Sequence, residues 1–170
     1  PQLEVSLLPS LSATICEQVA AGSMDAGFAY GEISQDALAV VQLQTTQVIV
    51  IAPQSWQDRV QHLSRQQLAH QPWIWVSTIC PYVHLLEELF AEGGQPANIV
   101  ASADDEQATI DLVKAGVGLG IVDEKLAAAE LRNGTVFKVD TERQFEIALS
   151  LVYQARRRQD PLIDALLQSL

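Results

Sequence analysis

The side chains best placed for chemistry in this sequence are hydroxyls gathered at two helix starts. Ser10 and Ser12 stand in Pro9-Ser10-Leu11-Ser12, and Ser77 and Thr78 in Ser77-Thr78-Ile79-Cys80-Pro81. A helix N-terminus exposes amides without intrahelical partners and the positive end of the macrodipole, and adjacent hydroxyls add donors. Each start can therefore hold a carboxylate or a similar anion. The same hydroxyls can equally cap their own helices. Tyr30-Gly31 closes a short strand; a phenol there can fold over a ligand that glycine lets the backbone approach, or the pair can form a plain turn. Asp104 and Asp123 fall at strand ends, where α/β sheets bind ligands, and both also suit helix N-caps.

Other chemistries find no support. Catalysis calls for a nucleophile beside a base or for paired carboxylates in a pocket, and no Gly-x-Ser-x-Gly or Cys-His constellation occurs. Glu87-Glu88 and Asp104-Asp105-Glu106 read as solvated helix surface. His62, His70 and His84 are scattered, and Cys16 and Cys80 have neither metal-ligand spacing nor a disulfide framework. Neither a metal nor a cofactor is expected, and a reducing cytoplasm fits best. Gly116-x-Gly118-x-Gly120 follows a helix and leads into a strand, the reverse of a dinucleotide-binding turn, so it reads as a C-cap with tight packing.

The formal charge is −11, from 21 acidic against 10 basic residues. That surplus repels a phosphate backbone, so this surface is not expected to grip nucleic acid. Arg156-Arg157-Arg158, the one basic cluster, reads as a solvated loop or an inter-subunit contact. No apolar run is long enough to span a bilayer. With 48% hydrophobic residues over 170 positions, the chain can bury one good core or two small ones. Its opening lacks an initiator Met and a signal sequence, which reads as a piece of a longer protein.

Alternating strands and helices must position these residues. Leu3 to Leu8 alternates as a strand, and Leu11 to Ala21 has helical spacing with Ser10 or Ser12 as cap and Gly22 as stop. Strands follow at Asp25 to Tyr30, Leu38 to Leu43, Gln47 to Ala52 and Trp73 to Val76, with one or two helical turns at Ser64 to Ala69. The core is the safer place for Trp73 and Trp75. Pro81 opens a helix to about Glu92, ended by Gly93-Gly94. Asn98 to Ala101 is a strand; Asp104 or Asp105 caps a helix ending at Gly116; Leu119 to Val122 is the next strand. A helix from Asp123 to Leu131, a turn at Asn133-Gly134, strands at Thr135 to Val139 and Phe145 to Tyr153, and a helix after Pro161 complete the pattern.

Two separated segments resemble the effector domain of LysR-type regulators. Leu3 to Ser12 with Gln18-Val19-Ala20-Ala21-Gly22-Ser23-Met24-Asp25-Ala26-Gly27-Phe28 is similar to that family's Pro-x-Val strand, capped helix and Leu-x-x-Gly-x-Leu-Asp-x-Ala-Ile segment. Leu112 to Val122 resembles its Val-x-x-Gly-x-Gly-Ile-x-x-Leu-Pro segment. Here the Leu-Pro pair is Val122-Asp123, which puts an acid near the cleft.

The resemblance implies an α/β, bilobal, type II periplasmic-binding-protein-like fold with two Rossmann-like lobes and a two-strand hinge. Lobe I is expected over 1–53 and 132–170 and lobe II over 54–131, with crossovers near Pro53 and Arg132. Both helix starts would then face the cleft, making Ser10, Ser12, Tyr30, Gly31, Ser77, Thr78, Asp104 and Asp123 the expected effector contacts. The implied partner is a small organic anion; DNA would be met only through an absent N-terminal winged helix-turn-helix, and a homodimer or tetramer is expected. The family's usual first strand and helix of lobe I are missing, so another segment or chain is expected to pair with the strands left open. The competing readings are a periplasmic solute-binding protein of the same fold and an enzyme on that scaffold.

Overall fold

The computed structural model describes residues 5–91 and 96–170. Two long strands organise everything else. β2 (Leu38–Pro53) and β7 (Phe145–Gln154) pair antiparallel from Leu38 opposite Gln154 to Val48 opposite Phe145. β1 (Ala26–Tyr30) adds to the outer side of β7. At its far end β2 pairs with β5 (Gly120–Asp123) on one side and β6 (Val136–Lys138) on the other. β3 (Pro72–Trp75) and β4 (Asn98–Ser102) run parallel, and a parallel bridge from Trp73 to Leu119 joins them to β5.

Two lobes result, each a sheet between helices. In lobe I, α1 (Ser12–Ala21) lays Ile15, Cys16 and Val19 on Ala29, Leu38 and Val152, while α7 (Pro161–Gln168) lays Ile163 on Ala39, Leu151 and Tyr153. In lobe II, α2 (Gln57–Val60), α3 (Arg65–Ala69) and α4 (Val83–Phe90) cover one face, and α5 (Glu106–Lys114) and α6 (Glu124–Asn133) the other. The apolar run Val48-Ile49-Val50-Ile51-Ala52 serves both: Val48, Val50 and Ala52 join one core, Ile49 and Ile51 the other. Such a run is what a strand buried on both faces requires.

Several boundaries correct the sequence reading. Val5 to Leu8 forms no strand and is exposed; the start of the expected Leu3 to Leu8 strand lies outside the described residues. Leu38 to Leu43 and Gln47 to Ala52 are one strand with a register shift between Gln42 and Gln44. The polar Gln44-Thr45-Thr46 stretch mimics a turn because the strand there crosses between the lobes, where Gln44 and Thr45 face solvent. Pro81 precedes its helix, which starts at Val83, and Gly93-Gly94 lies outside the described residues. Asp105, rather than Asp104, caps α5 by accepting from the Ala108 amide at 2.7 Å.

The glycine segment closes and packs as its order implied. Gly116 turns at φ 80°, and a Cβ on Gly118 would sit 2.7 Å from the Pro72 carbonyl oxygen. Gly118 thereby lets the chain approach β3 closely enough for the Leu119 amide to donate to Pro72 at 2.8 Å. Trp73 is fully buried and its indole N–H donates to the Leu68 carbonyl at 2.8 Å, as a buried indole needs. Among the described residues no helix is long and apolar enough to cross a membrane.

Candidate functional site

The carboxyl ends of β3, β4 and β5 open on one side of lobe II, where a parallel sheet presents loops and helix starts. They carry Ser77, Asp104 and Asp123. The end of β1 approaches from lobe I with Tyr30 and Gly31. The rings of Tyr30 and Tyr82 meet edge to face, their centroids 6.5 Å apart. Beside them Gly31 (φ 92°) packs so closely on Pro81 that an added Cβ would lie 3.0 Å from the proline Cβ. The two lobes thus touch through Tyr30-Gly31 and Pro81-Tyr82.

Lobe II holds its side with a buried polar chain. Asp123, 5% exposed, caps α6 by accepting from the Lys125 amide at 2.6 Å, and its other oxygen accepts from the Thr46 hydroxyl at 2.6 Å. The Asp123 amide donates to Glu106 Oε1 at 2.6 Å, and the Tyr82 hydroxyl donates to the same oxygen at 3.2 Å. Glu106 was read from the sequence as solvated surface; it is half-buried and central. The misreading came from an acidic triplet at a helix start, of which only one residue turns inward.

Burial pushes the Glu106 carboxyl above its usual range; the bonds from the Asp123 amide and Tyr82 oppose the shift, and the charges of Asp123 and Asp105 add to it. Tyr82 and Tyr30 are raised as well, first by burial and then by nearby acids: Glu106 and Asp123 for both. Burial also raises the Cys80 thiol, with Asp104 and Glu106 adding to the shift. No described ion pair brings Lys or Arg to Asp104, Glu106 or Asp123. This side of lobe II is therefore rich in hydrogen-bond acceptors, with no described basic partner.

The expected site residues divide. Ser12 does not cap α1, whose N-cap is Leu11 and whose first turn no side chain caps; its hydroxyl accepts the Tyr30 amide at 3.0 Å. That bond satisfies an amide on the outer edge of β1, and it ties the α1 tip to the interlobe contact. Ser77 and Asp104 come together: the Ser77 amide donates to Asp104 Oδ1 at 2.6 Å. The Ser77 hydroxyl oxygen is buried and finds no partner among the described residues. Ser10 and Thr78 are exposed and make no described hydrogen bond. Thr46, Tyr82 and Glu106 were missed, because only the fold brings a crossover strand, a turn and a helix start together. Two recesses open elsewhere: about 340 Å³ beside Arg65 and Phe90, and about 450 Å³ between Gln47–Val50 and the 138–144 link. Among the described residues no cluster of His, Cys, Asp and Glu could hold a metal ion.

The model of the LysR substrate binding domain matches residues 1–170. No curated protein matches the sequence. Among solved structures, the effector binding domain of QuiR in complex with shikimate is 17% identical over 89% of this chain and 72% of that one, with a TM-score of 0.73. The CcmR regulatory domain of Synechocystis PCC6803 in complex with 2-PG is 14% identical over 98% and 81%, with a TM-score of 0.80. Full-length CbnR complexed with its target DNA is 15% identical over 94% of this chain and 56% of that one, with a TM-score of 0.69. These likenesses carry the fold, a bilobal α/β architecture of the type II periplasmic-binding-protein kind, and the family match carries the assignment. The chain belongs to the LysR substrate binding domain family and is the effector-binding domain of a LysR-type transcriptional regulator.

Proposed function

We propose that the effector sits between the two lobes, against Ser12, Tyr30 and Gly31 on one side and Ser77, Thr78, Asp104 and Asp123 on the other, with Ser10 at the rim. The observation that carries this reading is that the end of β1, whose Tyr30 amide is held by Ser12 of α1, meets lobe II through Tyr82, which is bonded in turn to Glu106 beside the end of β5. The uncapped first turn of α1 suits an anionic group. The Ser77 amide is already taken by a carboxylate of the protein, and the neighbouring acids accept rather than donate. The effector that fits both sides is a small organic anion that also carries hydroxyl or amine donors.

In this reading lobe I, expected over 1–53 and 132–170, yields the 48–53 end of β2 to lobe II, because that end packs with Trp73 and Leu86 on one face and with Ile74 and Ile110 on the other. Arg132 lies inside α6, and β6 still pairs with the lobe II end of β2, so movement on the return path falls at residues 139–145. Effector binding favours one lobe arrangement over another and passes that preference to a DNA-binding domain elsewhere in the regulator. The protein acts in the cytoplasm, without catalysis, as a homodimer. The net charge of −11 supports DNA contact through another domain.

A thermal-shift screen of hydroxylated carboxylates and amino acids tests the site, run on the wild type and on Ser12→Ala and Thr78→Ala, each against its own ligand-free baseline. Stabilisation in the wild type that shrinks in the variants is the expected result; a ligand whose effect survives both substitutions undiminished binds elsewhere.

A further inference from the structure

Glu106 did not belong to the set of residues the sequence offered for the cleft, yet its Oε1 joins three elements there. It opens α5, accepts the Asp123 amide at the end of β5, and accepts the Tyr82 hydroxyl ahead of α4. Asp123 is itself held by Thr46 on β2, the strand that passes from one lobe to the other. On the far side, the Tyr82 ring meets Tyr30 of lobe I. The path Thr46, Asp123, Glu106, Tyr82, Tyr30 is continuous; it leaves the crossover strand, runs along the lobe II wall and returns to lobe I across the cleft. A change of lobe angle must part the Tyr30–Tyr82 contact or move Tyr82 against its bond to Glu106.

We propose that Glu106 is the positioning residue of this interlobe latch: its carboxylate oxygen fixes Tyr82 against Tyr30 and ties that contact to the crossover strand. The proposal rests on the reading that the lobes change their arrangement when the cleft is filled. An ordinary acid in the first turn of a helix is solvated and interacts with the dipole alone. Glu106 instead gives up much of its hydration with Asp123 close by, and hydrogen bonds from two other elements offset that cost. Removing the side chain deletes both bonds at once. Replacing it by glutamine keeps an acceptor at the same place, so the latch depends on the oxygen and tolerates loss of the charge.

Solution NMR on the full chain with labelled tyrosine and phenylalanine rings tests this without any ligand. Tyrosine signals come only from Tyr30, Tyr82 and Tyr153, and Tyr153, buried in the lobe I core, reports an intact fold. Cross-relaxation between rings 30 and 82 is expected in the wild type and in Glu106→Gln. It is expected to fall at least threefold in Glu106→Ala and in Tyr82→Phe, which keeps the ring and loses the hydroxyl, with Tyr153 unchanged. Undiminished cross-relaxation in a folded Glu106→Ala or in Tyr82→Phe would overturn the proposal, as would equal loss in Glu106→Gln or its absence from the wild type. Should Glu106→Ala fail to fold, Tyr82→Phe decides. Because no effector is added, failure here leaves the sensing reading to be judged by ligand stabilisation alone.

Discussion

Asp123 answers for three bonds at the residue scale: its carboxylate caps α6 and receives Thr46, and its amide meets Glu106. Truncation to alanine removes an N-cap and leaves a buried threonine hydroxyl unpaired, together about 2 to 3 kcal/mol of stability. Asp123→Asn keeps one acceptor oxygen for the Lys125 amide and turns the other position into an NH2 donor that the Thr46 hydroxyl can accept; it is expected to recover most of the loss, a comparison that urea denaturation reads directly. Glu106 makes the opposite case, since its burial penalises the charged form. Its folded pKa lies above the unfolded value, so the folded state keeps a proton after the unfolded state has lost its own. The resulting stability is fully present below the unfolded pKa and is lost as pH rises through the folded one. Glu106→Gln is expected to flatten the melting temperature against pH from about 4 upward; parallel curves for the two proteins would show that burial does not set this group's titration.

At the scale of elements, two glycines set how closely neighbours approach. A Cβ on Gly118 would meet the Pro72 backbone oxygen at 2.7 Å, and backbone cannot swing aside as a side chain can. Gly118→Ala is therefore expected to cost about 1 to 3 kcal/mol and to expose the Leu119 amide to hydrogen exchange as β5 separates from β3. At Gly27 the added atom would lie 2.2 Å from Ile15 Cγ2 on α1; Gly27→Ala is expected to loosen α1 from β1 with a comparable loss, seen as a lower urea midpoint. Helices with steady periodicity were legible: α5 and α6 fall where spacing and their aspartate caps put them, α7 starts at Pro161, and α1 ends at Gly22 as its spacing implies although neither Ser10 nor Ser12 caps it. The single 16-residue β2 was not, because its polar middle reflects exposure between lobes and exposure imitates a turn in sequence.

For the whole molecule, Val5, Leu7 and Leu8 are 65%, 83% and 68% exposed, and among the described residues β1 stands at the edge of its sheet. Apolar side chains in that setting favour association. Sedimentation is expected to give a dimer of the 18.5 kDa chain, and Leu7→Glu with Leu8→Glu is expected to shift it toward monomer; a wild-type monomer across the micromolar range would refute the homodimer. Arg157, from the one basic cluster, pairs within the chain, to Asp25 at 2.6 Å and Asp160 at 2.7 Å, and so anchors α7 beside β1.

Pattern and the family resemblance together settled the family, the alternation of strands and helices, the packing role of Gly118 and Gly120, and the placement of Ser12, Tyr30, Ser77, Asp104 and Asp123 near strand ends and helix starts. Those features are local, and spacing along the chain encodes them. Tertiary structure decided who meets whom: that Ser12 serves Tyr30 instead of its own helix, that Asp104 occupies the Ser77 amide, and that Glu106 turns inward to join Thr46, Tyr82 and Asp123. Hydrogen bonds at a cleft link groups 17, 24, 27 and 77 residues apart, and only the path of the strands brings such distant positions within reach.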